Sequence, residues 1–204
     1  MHYLILRETL EKRSLDHKGI KLTYYYAAGG DDTIVMMHGY SFNSMVWDRI
    51  GLVSALGDMD LSVVAVDVPG FPHSVNRLAM GENDLVSFLD ALSSSVKGKL
   101  FILGSSASCH AALKFAEAAG GRLSGIIIVA PVSLKSISMN RIRAKVLAVW
   151  GSEDDVAPAY LNEDAIKSIN GIVAIIKGAG HACYIGRPKE FIKILSEFID
   201  SARE

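Results

Sequence analysis

Little in this chain of 204 residues is typical of a secreted, membrane or nucleic-acid-binding protein. Its two cysteines, Cys109 and Cys183, are too few for a disulfide framework and indicate a reducing compartment. No apolar run approaches the roughly 20 residues of a membrane span, and charged residues come too early for a secretory signal. The formal net charge of −1, without a basic block, argues against a phosphate-backbone partner. We therefore expect one cytoplasmic, globular domain over residues 1–204 with no nucleic-acid or membrane partner.

The chain also lacks the motifs of common cofactor sites. No group of histidine, cysteine and carboxylate residues has metal-ligand spacing. The Gly-x-Gly-x-x-Gly dinucleotide fingerprint is absent after the first buried apolar run that opens the parallel sheet. Residues 178–180, Gly-Ala-Gly, are not followed by the lysine and hydroxyl residue of a phosphate loop. We therefore expect no metal and no cofactor, and we expect both cysteines to be packing thiols.

What the chain does contain is a regular alternation of strand and helix patterns. Residues 3–10 and 20–27 are rich in strand-forming side chains and flank a turn signal at 16–19, which predicts an antiparallel hairpin. Continuous apolar runs, typical of strands buried on both faces, follow at 33–37, 61–66, 100–103, 125–131, 145–150 and 172–176. Helical patterns separate them. The alternation predicts a mostly parallel sheet with helices on both faces and right-handed crossovers.

Five helices are predicted around this sheet. The first has Asn43 or Ser44 as its cap and carries Val46, Ile50 and Val53 on one side. The others cover the apolar stripe at 85–96, the alanine-rich segment at 107–119, a segment from Pro158 to Ile169 and one that begins at Pro188.

The sharpest local signal lies where a strand pattern turns into a helix pattern without a linker. Residues 104–108 are Gly-Ser-Ser-Ala-Ser, between an apolar run and the alanine-rich segment. Only small side chains let the backbone close so tight a bend, which holds the middle residue, Ser106, clear of the backbone. This pattern is typical of a nucleophile elbow, Gly-x-Ser-x-Gly. By itself the signal is weak, because short turns of glycine and serine are common.

An acid and a base follow at two later strand ends. In parallel sheets, functional residues gather at the carboxyl ends of the strands. Those ends carry Ser106, then Asp154, then His181, in the chain order of the α/β-hydrolase arrangement. Serine is a poor nucleophile unless an imidazole takes its proton, and the imidazole needs a carboxylate to fix its tautomer. Three residues on three such loops can meet above one sheet edge.

Further motifs lie at the other strand ends. They are His-Gly-Tyr-Ser-Phe-Asn-Ser at 38–44, Asp-x-Pro-Gly-Phe-x-His-Ser at 67–74, Val-Ala-Pro at 129–131, Gly-x-x-Asp-x-x-x-Pro at 151–158 and Lys-Gly-Ala-Gly-His-Ala-Cys-Tyr at 177–184. With the elbow, they make the chain resemble the α/β-hydrolase superfamily over nearly its whole length. It looks closest to the small, lidless CIB-like (CCG1-interacting-factor-B-like) hydrolases. Two positions depart from the superfamily pattern: Ser108 and Pro72 stand where glycine is usual.

The resemblance implies an α/β-hydrolase fold with a twisted sheet and no lid domain. It implies Ser106 as nucleophile, Asp154 as acid and His181 as base. It also implies an oxyanion hole made by the backbone N–H groups of Tyr40 and Ala107, in which each donor can be worth about 10²–10³ in rate. Ala107 stands at a helix N-terminus, where the dipole favours negative charge.

Neighbouring residues compete for these roles. Ser105 and Ser108 also carry hydroxyl groups, but an elbow places only its middle residue at the tip. Glu153 and Asp155 flank the predicted acid, whose spacing from the nearby glycine and proline favours it instead. His38 is an alternative base, although we expect it to orient its loop.

These residues together predict a serine hydrolase of acyl compounds. Ser106 attacks an ester, thioester or amide carbonyl to give an acyl-enzyme, and His181 then activates water to release the acid. Only about a dozen residues, 132–143, join two strands where larger relatives insert a lid, so we expect an open, shallow cleft. We expect small acyl groups, such as acetyl, on a small molecule or on a larger acylated substrate. Beside Tyr40, the candidate pocket residues are His38, Phe42, Phe71, Val132 and Tyr184.

Two other functions use the same sequence features. One is a cofactor-free haloperoxidase or lyase with the same triad. The other is an interaction module that keeps the hydrolase fold and binds a protein partner.

Overall fold

The computed structural model describes residues 10–204, so that residues 3–9 of the predicted first strand lie outside the described part. The strands are β1 (Glu11–His17), β2 (Ile20–Ala27), β3 (Asp32–Met37), β4 (Leu61–Val66), β5 (Leu100–Ser105), β6 (Leu123–Val129), β7 (Lys145–Gly151) and β8 (Ile172–Ile176). The helices are α1 (Val46–Arg49), α2 (Leu52–Asp58), α3 (Glu82–Ser93), α4 (Cys109–Ala119), α5 (Glu163–Lys167), α6 (Cys183–Gly186) and α7 (Pro188–Arg203). All these strands form one sheet in the order β1-β2-β4-β3-β5-β6-β7-β8. The predicted α/β class is therefore confirmed.

The amino-terminal hairpin is present, but its first strand lies later than predicted. β1 pairs antiparallel with β2 across a two-residue turn, Lys18 and Gly19, whose φ angles are 54° and 78°. Two positive φ angles are what a tight hairpin turn requires. Charged residues at 11–13 do not look like a strand in the sequence, yet they pair with the tyrosine-rich β2. The guanidinium carbon of Arg13 lies 3.8 Å from the ring centroid of Tyr26, a cation–π contact that stabilises the pairing.

The parallel part of the sheet runs from β3 to β8, and β2 joins it antiparallel to β4. Every residue of β4 and of β5 is buried, because helices cover both faces. On one face α3 packs against α4, and on the other α2 packs against α7. Parallel strands point their carboxyl ends to the same edge, so the loops after β3, β5, β7 and β8 meet there.

Two predicted helices are interrupted in the structure. The helix expected after Ser44 is divided into α1 and α2 at Gly51, whose φ of 81° lies in the left-handed region. The helix expected from Pro158 begins as a 3-10 turn, Ala159–Leu161, and continues as α5 only after Asn162. The φ angle of Asn162 is −136°, far from helical values, so a continuous helix cannot pass through this residue. The short helix α6 has no counterpart among the predictions.

The connection between β6 and β7 is short, as the sequence indicates. Residues 130–144 contain the 3-10 turn Met139–Arg141 and no inserted domain, so this fold has no lid over the carboxyl edge of its sheet. In the part of the chain from residue 10 onward, none of the helices combines the length and the apolar character needed to cross a membrane.

Candidate active site

Three strand-end loops bring Ser106, His181 and Asp154 into one hydrogen-bonded chain. Ser106 follows β5, Asp154 follows β7 and His181 follows β8. The Nε2 atom of His181 lies 2.8 Å from Ser106 Oγ, and its Nδ1 atom lies 3.0 Å from each carboxylate oxygen of Asp154. An ionised carboxylate only accepts hydrogen bonds, so Nδ1 carries the proton of the neutral ring and Nε2 accepts the proton of the serine hydroxyl. This is the arrangement that activates a serine.

The elbow holds the backbone of Ser106 in a strained conformation. Its φ of 54° lies in the left-handed region, which costs a non-glycine residue about 1–3 kcal/mol. The turn closes because Gly104 lets helix α4 approach β5. A Cβ atom at Gly104 would lie 2.8 Å from Cys109 Cα and 2.9 Å from the carbonyl oxygen of Ser108, distances that no side chain tolerates.

Ser108 fits its position without strain. Its φ of −78° and ψ of −10° are right-handed helical values, so the position does not need glycine. Its buried Oγ accepts a hydrogen bond from the N–H of Ser105 at 2.9 Å. The same hydroxyl lies within 3.1 Å of the carbonyl oxygen of Met37 in β3 and 3.0 Å of that of Ser105. The serine therefore ties the elbow to the neighbouring strand.

Asp154 is fixed from two sides. Its Oδ1 atom accepts the backbone N–H groups of Val156 at 3.0 Å and Ala157 at 2.9 Å, in addition to its contact with the histidine. The carboxylate is buried, whereas its neighbours Glu153 and Asp155 are exposed to solvent. The structure therefore brings the predicted acid, and neither of its two alternatives, to the imidazole.

Tyr40 and Ala107, whose N–H groups are predicted to form the oxyanion hole, both lie on turns that follow parallel strands. Tyr40 is the second residue of a turn that is closed by the hydrogen bond from Phe42 N–H to the Gly39 carbonyl, 3.1 Å long. Ala107 is the second residue of the 3-10 turn Ser106–Ser108, a position without an acceptor inside the turn. Across residues 10–204, neither N–H donates to a loop carbonyl or a side chain. Both residues are exposed, and their N–H groups remain the predicted oxyanion donors.

His38 is occupied on both ring nitrogens, which removes it as an alternative base. Its Nδ1 atom lies 2.9 Å from the carbonyl oxygen of Gly39, and its Nε2 atom accepts the N–H of Val68 at 2.9 Å. The ring is completely buried, and both of its nitrogens already have partners. It holds the loop that carries Tyr40 against the loop after β4, in agreement with the orienting role expected from the sequence.

Asp67 is an organising residue that the sequence reasoning did not single out. Its two carboxylate oxygens accept the N–H of Ser44 at 3.0 Å and of Val75 at 2.8 Å, which joins the loops after β3 and β4. Burial alone would raise the pKa of Asp67, but hydrogen bonds to the ionised form outweigh it and hold the pKa below its usual range. The side chain of Asn76 donates to the backbone carbonyl of Asp67 at 2.6 Å. The Asp-x-Pro-Gly motif that begins at Asp67 is the sequence feature that could have identified this role.

The candidate pocket residues divide into two groups. Val132 is half exposed, and Phe42 and Phe71 are partly exposed, so these three contribute to the surface of the cleft. His38 and Tyr184 lie beneath that surface, since both are buried, and the expectation that they line the pocket does not match their placement.

Tyr184 supports the site from below. Its hydroxyl accepts a hydrogen bond from Ser105 Oγ at 3.3 Å, and its ring centroid lies 5.0 Å from that of Trp47 and 6.1 Å from that of Phe42. It links α6, which follows the histidine, to the strand that precedes the nucleophile.

The two cysteines are not placed for chemistry. Both are buried, and burial raises the pKa of both thiols, that of Cys183 to about 12. They stay protonated and act in packing. Within residues 10–204, no three side chains of histidine, cysteine, aspartate or glutamate are grouped to share a metal ion.

Comparison with known proteins agrees with this architecture. Residues 34–145 match the profile described as the Alpha/beta hydrolase family. The chain belongs to this family. The crystal structure of a predicted CIB-like hydrolase from Thermoplasma acidophilum superposes on this α/β hydrolase with a TM-score of 0.82 at 29% identity, covering 94% of this chain and 98% of that one. The resemblance to CIB-like hydrolases is therefore confirmed.

Curated relatives lie within the same family. ABHD14B of Homo sapiens, whose name describes a candidate protein-lysine deacylase, is 30% identical over 175 residues, which cover 82% of this α/β hydrolase and 82% of the relative. ABHD14A of Danio rerio is 30% identical over 174 residues, which cover 81% of this chain and 63% of the relative. The chain thus spans less than two thirds of the length of that ABHD14A protein.

Proposed function

We propose that this α/β hydrolase cleaves small acyl esters, thioesters or amides through an acyl-enzyme on Ser106. The observation that carries the proposal is the unbroken hydrogen-bonded chain from Ser106 Oγ through His181 to Asp154, with distances of 2.8 and 3.0 Å. A serine on an ordinary surface turn has no such partners. The family membership supports hydrolysis as the reaction, and the chain of contacts supports these three residues as its agents.

In the first half-reaction, Ser106 Oγ attacks the acyl carbon while His181 Nε2 takes the hydroxyl proton. Asp154 stabilises the imidazolium that results. The carbonyl oxygen becomes negative and accepts the N–H groups of Tyr40 and Ala107. The bond to the leaving group then breaks, and the imidazolium gives its proton to the departing oxygen, sulfur or nitrogen.

In the second half-reaction, water replaces the leaving group. His181 takes a proton from this water as it attacks the acyl carbon of the acyl-enzyme. The same two N–H groups stabilise the second tetrahedral intermediate. When it collapses, the imidazolium returns the proton to Ser106 Oγ, and the carboxylic acid leaves.

The architecture favours small acyl groups. No domain is inserted in the short connection between β6 and β7, so we expect an acyl chain to find little enclosed surface there. We expect the leaving group to be allowed to be large, because no inserted domain limits it at this connection. Because the relative ABHD14B is named for lysine deacylation, Nε-acetyl-lysine amides are the first amide substrates to test.

Hydrolysis of p-nitrophenyl esters tests the proposal. We expect activity to be highest with acetate and to fall as the acyl chain lengthens. Ser106→Ala and His181→Ala should each lower kcat by about 10⁴–10⁶, and Asp154→Asn by less, because these residues act as one unit. Asp155→Asn is the matched control, since its carboxylate is exposed beside the acid without contacting the imidazole.

Two results would contradict the proposal. One is full esterase activity in Ser106→Ala. The other is halide-dependent oxidation by peroxide, or carbon–carbon cleavage, that exceeds ester turnover in the unaltered protein and would favour the haloperoxidase or lyase alternative.

A further inference from the structure

Exposed apolar side chains are concentrated at the catalytic edge of the sheet. In residues 10–204, ten large apolar side chains are exposed, and eight of them follow the carboxyl end of a parallel strand. The eight are Tyr40, Val75, Leu78, Val132, Val156, Tyr160, Leu161 and Ile185. Single exposed apolar residues are ordinary, but a concentration on one side of a molecule marks a binding surface.

Three of these side chains form what we call the β7 ridge: Val156, Tyr160 and Leu161. Their exposed fractions are 63%, 73% and 58%. Tyr160 and Leu161 stand on the 3-10 turn that follows Pro158, so they cannot swing far from the strand end. The β7 ridge begins two residues after the proposed acid, so it lies on one of the loops that form the proposed site.

The ridge is held in place by polar contacts beneath it. Val156 N–H donates to Oδ1 of Asp154 at 3.0 Å, and Leu161 N–H donates to the carbonyl of Pro158 at 3.1 Å. At its far end, Asn162 Nδ2 donates to the carbonyl of Pro131 at 2.9 Å, which joins the ridge to the loop after β6. These bonds hold the backbone of the ridge in place, so that a ligand that binds there does not have to order this loop.

The segment that carries the ridge is acidic. Residues 152–164 contain Glu153, Asp155, Glu163 and Asp164 besides the catalytic acid, and no lysine or arginine. Glu163 pairs with Lys167 at 3.1 Å, whereas Asp155 and Asp164 are exposed beside the apolar side chains. An apolar surface edged by carboxylates attracts a ligand that is both apolar and cationic.

We propose that the β7 ridge binds the peptide chain that carries the acyl group, and that this chain is cationic around the acylated residue. This inference rests on the proposed function, because it assigns the leaving-group side of the same site. An extended peptide can lay an apolar side chain on Tyr160 and Leu161 while its basic side chains pair with Asp155 and Asp164.

Two other occupants fit the surface less well. A second copy of this chain would place the same carboxylates opposite each other across a two-fold axis, which is repulsive. A lipid surface that is anionic would repel the same residues, since interfacial segments rely on lysine and arginine.

Binding of labelled peptides to the Ser106→Ala protein tests the ridge without turnover. The probes are a fluorescein-labelled peptide with a central Nε-acetyl-lysine flanked by arginine and leucine, and the same peptide with glutamate in place of arginine. We expect the arginine peptide to bind at least about tenfold more tightly than the glutamate peptide. Adding Tyr160→Ser and Leu161→Ser should weaken binding of the arginine peptide by at least about tenfold.

Matched variants control for general effects. Ile172→Ser with Ile175→Ser removes two similarly exposed apolar side chains from β8, 52% and 48% exposed, and should leave peptide affinity unchanged. Asp155→Lys with Asp164→Lys keeps the apolar ridge and should reverse the preference between the two peptides. This charge variant also serves if the serine variant fails to fold, as judged by circular dichroism.

Several outcomes would overturn the proposal: no measurable peptide binding, equal binding by ridge and control variants, or no difference between the peptides. Ridge-dependent binding to phosphatidylcholine vesicles without peptide binding would assign the surface to lipid instead. Failure of the proposed function has a different signature, which is loss of Ser106-dependent ester hydrolysis.

Discussion

The backbone of Ser106 is strained, yet the surrounding structure holds it in a single conformation. Its left-handed backbone conformation costs about 1–3 kcal/mol, so a serine in an isolated turn would adopt an unstrained conformation instead. Here the strand before it is fully buried and the helix after it packs tightly over Gly104, so the surrounding structure determines the strained conformation. The consequence is a hydroxyl that points at His181 Nε2 with no motion required.

Ser108 gives a stability prediction at the same scale. Ser108→Ala leaves the buried N–H of Ser105 without its acceptor, so the free energy of unfolding should fall by about 1–3 kcal/mol in urea titrations. Ser108→Gly should lose a similar amount, because the backbone conformation, φ −78°, gives glycine no advantage. Ser168→Ala, at an exposed serine on the surface, should change stability by less than about 0.5 kcal/mol. A Ser108→Gly protein more stable than the unaltered one would show that the serine is strained after all.

At the scale of elements, the site depends on loops that are joined across strand ends. The loop after β3 carries Tyr40, and it is held by His38 from within and by Asp67 from the loop after β4. Tyr184 joins α6 to β5 in the same way. These buried contacts join the loop that carries the proposed oxyanion donor Tyr40, and the helix that follows the imidazole, to neighbouring elements of the fold.

Asp67→Asn tests this support through its pH dependence. The pKa of Asp67 is lower in the folded protein than in the unfolded chain, so its contribution to stability is present above the unfolded pKa of about 3.9 and is lost as pH falls through the folded value. The unaltered protein should exceed Asp67→Asn in free energy of unfolding at pH 7 by about 1–3 kcal/mol. That difference should shrink below about pH 4.

Urea titrations at several pH values measure this difference. Asp155→Asn, at an exposed carboxylate, is the control and should follow the unaltered protein at each pH. A difference between the unaltered protein and Asp67→Asn that grows as pH falls would contradict the assigned role.

At the scale of the whole molecule, the sequence predicts what depends on order and periodicity. Buried strands, their ends, and the residues Ser106, Asp154 and His181 follow from apolar runs and from Gly, Pro and small residues at fixed places. The breaks in the helices at Gly51 and Asn162 could not be predicted from these patterns. They depend on the assembled fold, in which Gly51 has a left-handed backbone and the Asn162 side chain donates a hydrogen bond to a carbonyl that is distant in the sequence. Burial of His38 and Tyr184 was missed for the same reason, since motif position does not tell which side of a loop faces solvent.

The same limit applies to function. Order along the chain indicates a triad, but the supports at Asp67 and the exposed β7 ridge emerge only when loops from several strands are assembled. A fold without a lid leaves its catalytic edge open, so selectivity must come from side chains on those loops. The ridge of Val156, Tyr160 and Leu161 lies on one of these loops, and Tyr160 is 73% exposed.

Labelling with a fluorophosphonate probe tests the central claim, that Ser106 is a nucleophile activated by His181, most directly. We predict that the unaltered protein is labelled, that peptide mass spectrometry places the adduct on Ser106, that His181→Ala reacts far more slowly, and that Ser106→Ala does not react. Labelling of Ser106→Ala at the rate of the unaltered protein, or an adduct on another residue, would contradict the account.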